Sequence, residues 1–282
     1  MNPNTNSDEF VTYAEHYRSC RESYSGPIVD TSHHESVYDC VHDENVFDLD
    51  SHFGDLVERV SCEASHRFDY NSGCRRYDAH IELNAISDIE GLSDLAHFLI
   101  PQLEQKIYRS HVVVHYALIQ RNMPRIRMAN IPLGSWMWHY DDCPDESIKL
   151  IIYLSDVSPI DGPLQLLARP NASRIRYPSS RIGPSLRDVE KIAFPLSRIP
   201  SEVVDDYINE DDGPYSLVGA RGTYALFSPN QPHRGTFPTF RSRRFRDALF
   251  LVLRPSLEPR EPVIQHSGVI VPPFTDKQYD LD

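Results

Sequence analysis

No stretch of this chain approaches the ~20 consecutive apolar residues that a membrane helix requires, and the mean hydropathy is −0.45. A membrane partner is therefore not expected. Cysteine is scarce and scattered: Cys20, Cys40, Cys62, Cys74 and Cys143 form no Cys-x-x-Cys pair. An odd, unclustered set argues against a disulfide framework or a zinc ribbon and for reduced thiols. Residues 1–9 lack the basic start and apolar core of a secretory leader, so a cytoplasmic protein is expected. Positive charge is short in the N-terminal part: residues 1–90 carry 19 Asp/Glu against 6 Lys/Arg, while residues 91–282 carry 22 of each. With a net charge of −13, the acidic part repels a phosphate backbone, which argues against nucleic acid as a partner. There is no internal repeat.

The organisation expected of the chain is one domain over residues 1–282. Residues 1–90 form an acidic helical and irregular part, and residues 110–255 the core. Residues 168–217 make a lid-like insertion, and residues 256–282 a Pro-rich tail. Phe53, Leu56, Val57 and Val60 recur at helical spacing, and so do Leu95, Phe98, Leu99, Leu103 and Ile107. Ser93 is a cap for the second helix, and Pro101 should break or kink it. From His111 the texture changes to short β-rich runs at 111–119, 125–130, 136–141, 148–155, 164–167, 222–228 and 248–253, separated by Gly/Pro turns such as 161–163. His111 and His115 would share one strand face. Pro255 should close the regular region. The fold class expected is mainly β with flanking α: a double-stranded β-helix, jelly-roll or cupin-like, with N-terminal helices and a long insertion between core strands.

One stretch stands out within that pattern, residues 136–142 (WMWHYDD), with a distant counterpart at 230–235 (NQPHRG). In an extended run His139 and Asp141 project to the same side, and Tyr140 and Asp142 to the other. If His233 is brought in by a later strand, two imidazoles and one carboxylate meet. That is the ligand set of a non-haem Fe(II) oxygenase, which keeps part of the metal open. An arginine cluster follows at Arg243, Arg244 and Arg246. A guanidinium fork suits the distal carboxylate of 2-oxoglutarate. Alternation puts Arg244 and Arg246 on one face, with Arg244 the first choice and Arg246 the second. Tyr153, on a buried strand, has a hydroxyl that would donate to a carboxylate. Trp136 and Trp138 are read as packing around the ligand strand. The arginines at 169, 174, 176, 181 and 187 either clamp an anionic substrate or keep a long loop soluble.

The order His139-x-Asp141, Gly162-Pro-Leu, His233-Arg-Gly, Arg244 resembles the phytanoyl-CoA hydroxylase-like group of Fe(II)/2-oxoglutarate dioxygenases. The resemblance covers roughly residues 110–255. It implies Fe(II), 2-oxoglutarate and O₂ as cofactor and co-substrates, with His139, Asp141 and His233 as catalytic metal ligands. It also implies a basic residue about eleven positions after the second histidine, where Arg244 stands. Lys149 is the rival, because Jumonji-type relatives bind 2-oxoglutarate through lysine. The implied reaction decarboxylates 2-oxoglutarate to succinate while a C–H bond of a small-molecule substrate is hydroxylated or otherwise oxidised. The carboxylate of Asp141 disfavours halogenation, since related halogenases lack it. Residues 168–173 and the insertion after them depart from the family pattern where substrate choice normally resides. The alternatives are a cupin-like metalloenzyme that does not use 2-oxoglutarate and a non-catalytic jelly-roll binding module.

Overall fold

Among the described residues, chain segments that alternate or run apolar become eight strands in two antiparallel sheets. The computed structural model describes residues 13–29, 46–70, 78–83, 86–122, 134–141, 143–144, 146–167, 198–199, 201–205, 208, 213–239, 241–242 and 244–259. The strands are β1 (Asp78–Glu82), β2 (His111–Asn122), β3 (Ile148–Tyr153) and β4 (Leu164–Leu166), then β5 (Tyr215–Leu217), β6 (Tyr224–Phe227), β7 (His233–Gly235) and β8 (Arg246–Ser256). The larger sheet has the order β1-β2-β8-β3-β6 and the smaller β5-β4-β7. Single bridges from His139 to His233 and to Arg198 continue the smaller sheet beyond β7. The chain crosses from the larger to the smaller sheet between β3 and β4 and alternates between the two sheets from β5 to β8, which is the winding of a double-stranded β-helix. The fold is mainly β with flanking helices.

The two faces of the larger sheet have different tasks. On the outer face Ile148, Leu150, Ile152, Leu249, Leu251 and Leu253 join one buried apolar cluster with helical residues. Those come from α1 (Tyr13–Ser23) through Tyr17, from α2 (Ser51–Tyr70) through Phe53, Leu56, Val57 and Val60, and from α3 (Leu92–Leu103) through Leu92, Leu95 and Leu99. On the inner face Ile151, Tyr153, Ala225, Phe227 and Ala248 pack against Leu164, Leu166 and Leu217 of the smaller sheet. The 2.0-residue alternation of β3 and β8 is what divides these sets. Full burial of each such Leu or Ile stabilises by about 1.5–3 kcal/mol.

Several expected boundaries move. The first helix of the two predicted runs on to Tyr70. Ser93 lies inside α3, whose N-cap is Gly91 in the left-handed region at φ 80. Pro101 does not end that helix. It lacks the N–H for one bond, and the ladder re-registers downstream as a π turn, Glu104–Tyr108, closed by Arg109 at φ 51. A bulge between Val114 and Tyr116 interrupts the pairing of β2 with β8, so His111 and His115 are not simple same-face neighbours. β8 continues through Pro255, which pairs with Val112. Tyr215–Leu217, counted with the insertion above, is instead a core strand paired with β4. The expected strand at 125–130, most of the insertion including Arg169, Arg174, Arg176, Arg181 and Arg187, Arg243 and the tail beyond residue 259 lie outside the described residues.

Candidate metal and co-substrate site

His139 and His233 meet because their backbones pair. His139 N–H donates to His233 O at 3.0 Å, and His233 N–H to His139 O at 2.8 Å. Asp141, two residues along, is anchored by its N–H to Pro229 O at 2.8 Å. Trp138 and Tyr140 take the opposite side and pack with Leu167, Ile199 and Val204. The extended run is shorter than expected, since Gly134–Trp136 is a 3-10 turn. The i, i+2 relation of His139 and Asp141 nevertheless holds. One ligand atom from each of His139, Asp141 and His233 lies within 4.8 Å of the others. His139 Nε2 is 3.7 Å from Asp141 Oδ1, and His233 Nε2 is 3.6 Å from Asp141 Oδ2. Three such groups can hold a metal ion.

The ring nitrogens are assigned by their partners. His139 Nδ1 donates to Met137 O and His233 Nδ1 to Gln231 O, both at 2.8 Å. A carbonyl only accepts, so each Nδ1 carries the proton and each Nε2 keeps its lone pair toward the cluster. Burial pushes the His139 imidazole well below its ordinary pKa, helped by His233 beside it. Burial, and then Lys149, lower His233 from 6.5 to about 4. For Asp141, burial alone would raise the carboxyl, but Lys149, His233 and His139 overcome it and hold it well below the carboxylate range. Neutral imidazoles beside an ionised carboxylate are the protonation states a divalent metal needs.

A stability prediction follows from His233. The unfolded chain takes up this proton near pH 6.5 and the folded chain only near pH 4. The unfolded state therefore binds more protons between those values, and the stability present above pH 6.5 is lost as pH falls toward 4. Urea midpoints of chelator-treated protein should drop across this window. His233→Gln should drop less.

The arginines divide differently from expectation. Arg244 precedes β8 and is exposed, so the side chain at the eleven-residue spacing faces solvent. Arg246, the second choice, is 4% exposed at the start of β8. Its Nη1 donates to Gly162 O, while its buried Nε has no hydrogen-bond partner. Gly162, at φ 77, could carry no Cβ without meeting Thr236 O at 2.5 Å. A Cβ on Gly235 would come within 3.3 Å of both Arg246 Nη2 and the Trp136 ring. Gly235 of the His-Arg-Gly triplet thus leaves room for the Arg246 guanidinium, and the Gly-Pro turn supplies the carbonyl that accepts from it. Tyr153 lies beside it, but not as a free donor. Its hydroxyl gives its proton to Leu217 O at 2.9 Å and accepts from Leu164 N–H at 3.0 Å. The expectation that it donates to a carboxylate is corrected: the proton is held by a backbone strand.

Three further residues enter the site. Asn122 stands directly across from Arg246 in the β2–β8 pairing. It is 1% exposed, and neither amide atom has a hydrogen-bond partner. The bulge in β2 hides this facing from a simple alternation count. Arg198 comes from within the insertion through its bridge to His139, and its charge bears on His139, Asp141 and His233 together. No motif announced it. Lys149, on the inner face of β3, donates to Asp141 Oδ2 at 2.6 Å and reaches His233 Nε2 at 3.2 Å. The chain motif had offered it only as a rival binder of 2-oxoglutarate.

No family model matches this sequence, and no curated protein matches it either. Solved structures do. EvdMO1 matches at 15% identity and TM-score 0.46, over 74% of this chain and 45% of its own, so this chain spans less than half of that protein. HygX from Streptomyces hygroscopicus, solved with nickel and 2-oxoglutarate bound, matches at 15% identity and TM-score 0.48, over 83% of this chain and 90% of its own. EctD from S. alaskensis matches at 14% identity and TM-score 0.48, over 84% and 86%. Likeness of this degree assigns no residue a role.

Proposed function

We propose that this chain is an Fe(II)/2-oxoglutarate-dependent oxygenase, of the phytanoyl-CoA hydroxylase-like kind, that hydroxylates or otherwise oxidises a C–H bond of a small or medium-sized metabolite. The observation that carries the reading is the convergence of His139, Asp141 and His233 within 4.8 Å. Their donors suit ferrous iron: two neutral imidazole lone pairs and one carboxylate, with the remaining positions open for co-substrates. The iron would supply activation of O₂ coupled to decarboxylation of 2-oxoglutarate to succinate. Around it the chain has its own tasks. The backbone pairing of His139 with His233 sets the spacing of the imidazoles, and the Met137 and Gln231 carbonyls hold their tautomers. Arg246, with an unpartnered buried Nε, is the binder of the distal carboxylate, and Asn122 is its neighbour. HygX was solved with 2-oxoglutarate bound, and EctD has been solved with Fe bound.

The setting belongs to the same proposal: one domain over residues 1–282, a cytoplasmic enzyme, a small-molecule substrate, and no nucleic acid or membrane partner. Among the described residues no helix is long and apolar enough to cross a membrane. One observation favours a second reading, a cupin-like metalloenzyme that does not use 2-oxoglutarate: Arg244, at the family spacing, is exposed.

Anaerobic addition of Fe(II) and 2-oxoglutarate separates the two. A visible charge-transfer band that needs both additions, and that vanishes in His233→Ala, is the expected result. With air and substrate, succinate should then accumulate. Iron binding without the band would favour the second reading, and no iron binding at all would sink both.

A further inference from the structure

Lys149 and a metal ion draw on the same electrons. The lysine lies on β3, with Nζ 5.9 Å from the centre of the Phe227 ring and 5.6 Å from that of Phe250. Its side chain is 13% exposed. The ammonium has only donors. Its contact with His233 Nε2 at 3.2 Å is therefore a donation into the lone pair left by the Nδ1 bond to Gln231 O. A metal ligated by His233 would use that lone pair too. One ring nitrogen has one lone pair and cannot serve both. Asp141 is different. Its two carboxylate oxygens offer about four acceptor positions, so it can hold the lysine and a metal at once.

We propose that Lys149 is a positioning residue that competes with divalent metal for His233 Nε2, so that metal enters only as the ammonium releases the histidine and keeps Asp141 alone. This rests on the metal-site reading given above. The lysine lowers metal affinity twice: it must give up one hydrogen bond, and it leaves a positive charge beside the incoming ion. Arg198 adds a second positive charge to the same surroundings. When the metal is withdrawn, Lys149 restores its full counter-charge to Asp141. The site is thereby held together in both conditions, and loosely bound metal is easier to lose than three ligands alone would allow.

A lysine that merely neutralised Asp141 would behave otherwise, so metal affinity and stability are measured side by side. Mn(II), a redox-quiet probe for the ferrous site, is titrated by calorimetry into wild type and Lys149→Met. Melting temperature is recorded with chelator and with saturating Mn(II). The expected result is Mn(II) binding at least tenfold tighter in Lys149→Met, together with a lower melting temperature in chelator and a larger rise on adding Mn(II). Lys149→Gln, which keeps a donor for Asp141 without the charge, should tighten binding by less. It also carries the comparison if the Met variant fails to fold. Equal or weaker Mn(II) binding in folded variants overturns the competition while leaving the metal site standing. If neither wild type nor the folded variants bind Mn(II), the site reading falls, and the competition with it.

Discussion

Replacing Arg246 with methionine should raise the KM for 2-oxoglutarate by about 30-fold or more, while Arg244→Ala should change it less than threefold. The reason is burial. A guanidinium that is 4% exposed, with an unpartnered Nε, can meet a carboxylate away from competing water. Truncating one partner of such a charge pair costs about 2–5 kcal/mol, and about 2 kcal/mol corresponds to the lower bound stated. Arg244 is exposed, and exposed pairs contribute only about 0–1 kcal/mol. Burial also pulls the Arg246 pKa below its ordinary value, with Tyr153 opposing that, as befits a charge short of partners. Removing it should therefore leave the melting temperature without co-substrate unchanged or raised. A loss of co-substrate binding together with a fallen melting temperature would point to a structural arginine. A KM change at Arg244 alone would restore the family-spacing assignment.

The largest stability effect is expected on the outer face of the same strand. Arg121 and Asp247 face each other across β2 and β8. Arg121 Nε donates to Asp247 Oδ1 at 2.8 Å, and Nη2 donates to Oδ2 at 2.7 Å and to Ser65 Oγ at 3.0 Å. Its guanidinium carbon lies 4.6 Å from the centres of both the Phe68 and the Phe245 rings. The Arg121 and Asp247 side chains are 7% and 8% exposed. Breaking a buried pair from one side leaves an uncompensated charge and costs about 3–5 kcal/mol. Asp247→Ala should therefore lower the denaturation midpoint sharply at unchanged m-value. Arg121→Met combined with Asp247→Leu should recover most of the loss, because no charge is stranded. If Asp247→Ala costs under about 1 kcal/mol, the pair is solvated more than its burial indicates.

The core strands are legible where a short apolar run is bounded by turn residues: residues 148–153 are rich in isoleucine, and residues 224–227 are apolar and aromatic. Where one side chain meets a local exception, the pattern misled. Pro101 is expected to break or kink its helix, but the helix runs through it and re-registers as a π turn three residues on. The His111–His115 relation failed at a bulge, which composition does not reveal. Alternation puts Arg244 and Arg246 on one face only if the strand reaches back to both. The strand starts at Arg246, so the alternation rule had no hold on Arg244.

What the residues alone determined about this protein is local. His139 and Asp141 share a side because they are two apart in extended backbone, and Gly162 turns the chain because only glycine accepts φ 77 without strain. Whether His233 would come to that pair, which arginine would be buried, and that Lys149 would stand at the ligands were decided by strand pairing between distant segments. Those pairings depend on registers set by the packing of two whole sheets. No window of sequence contains them.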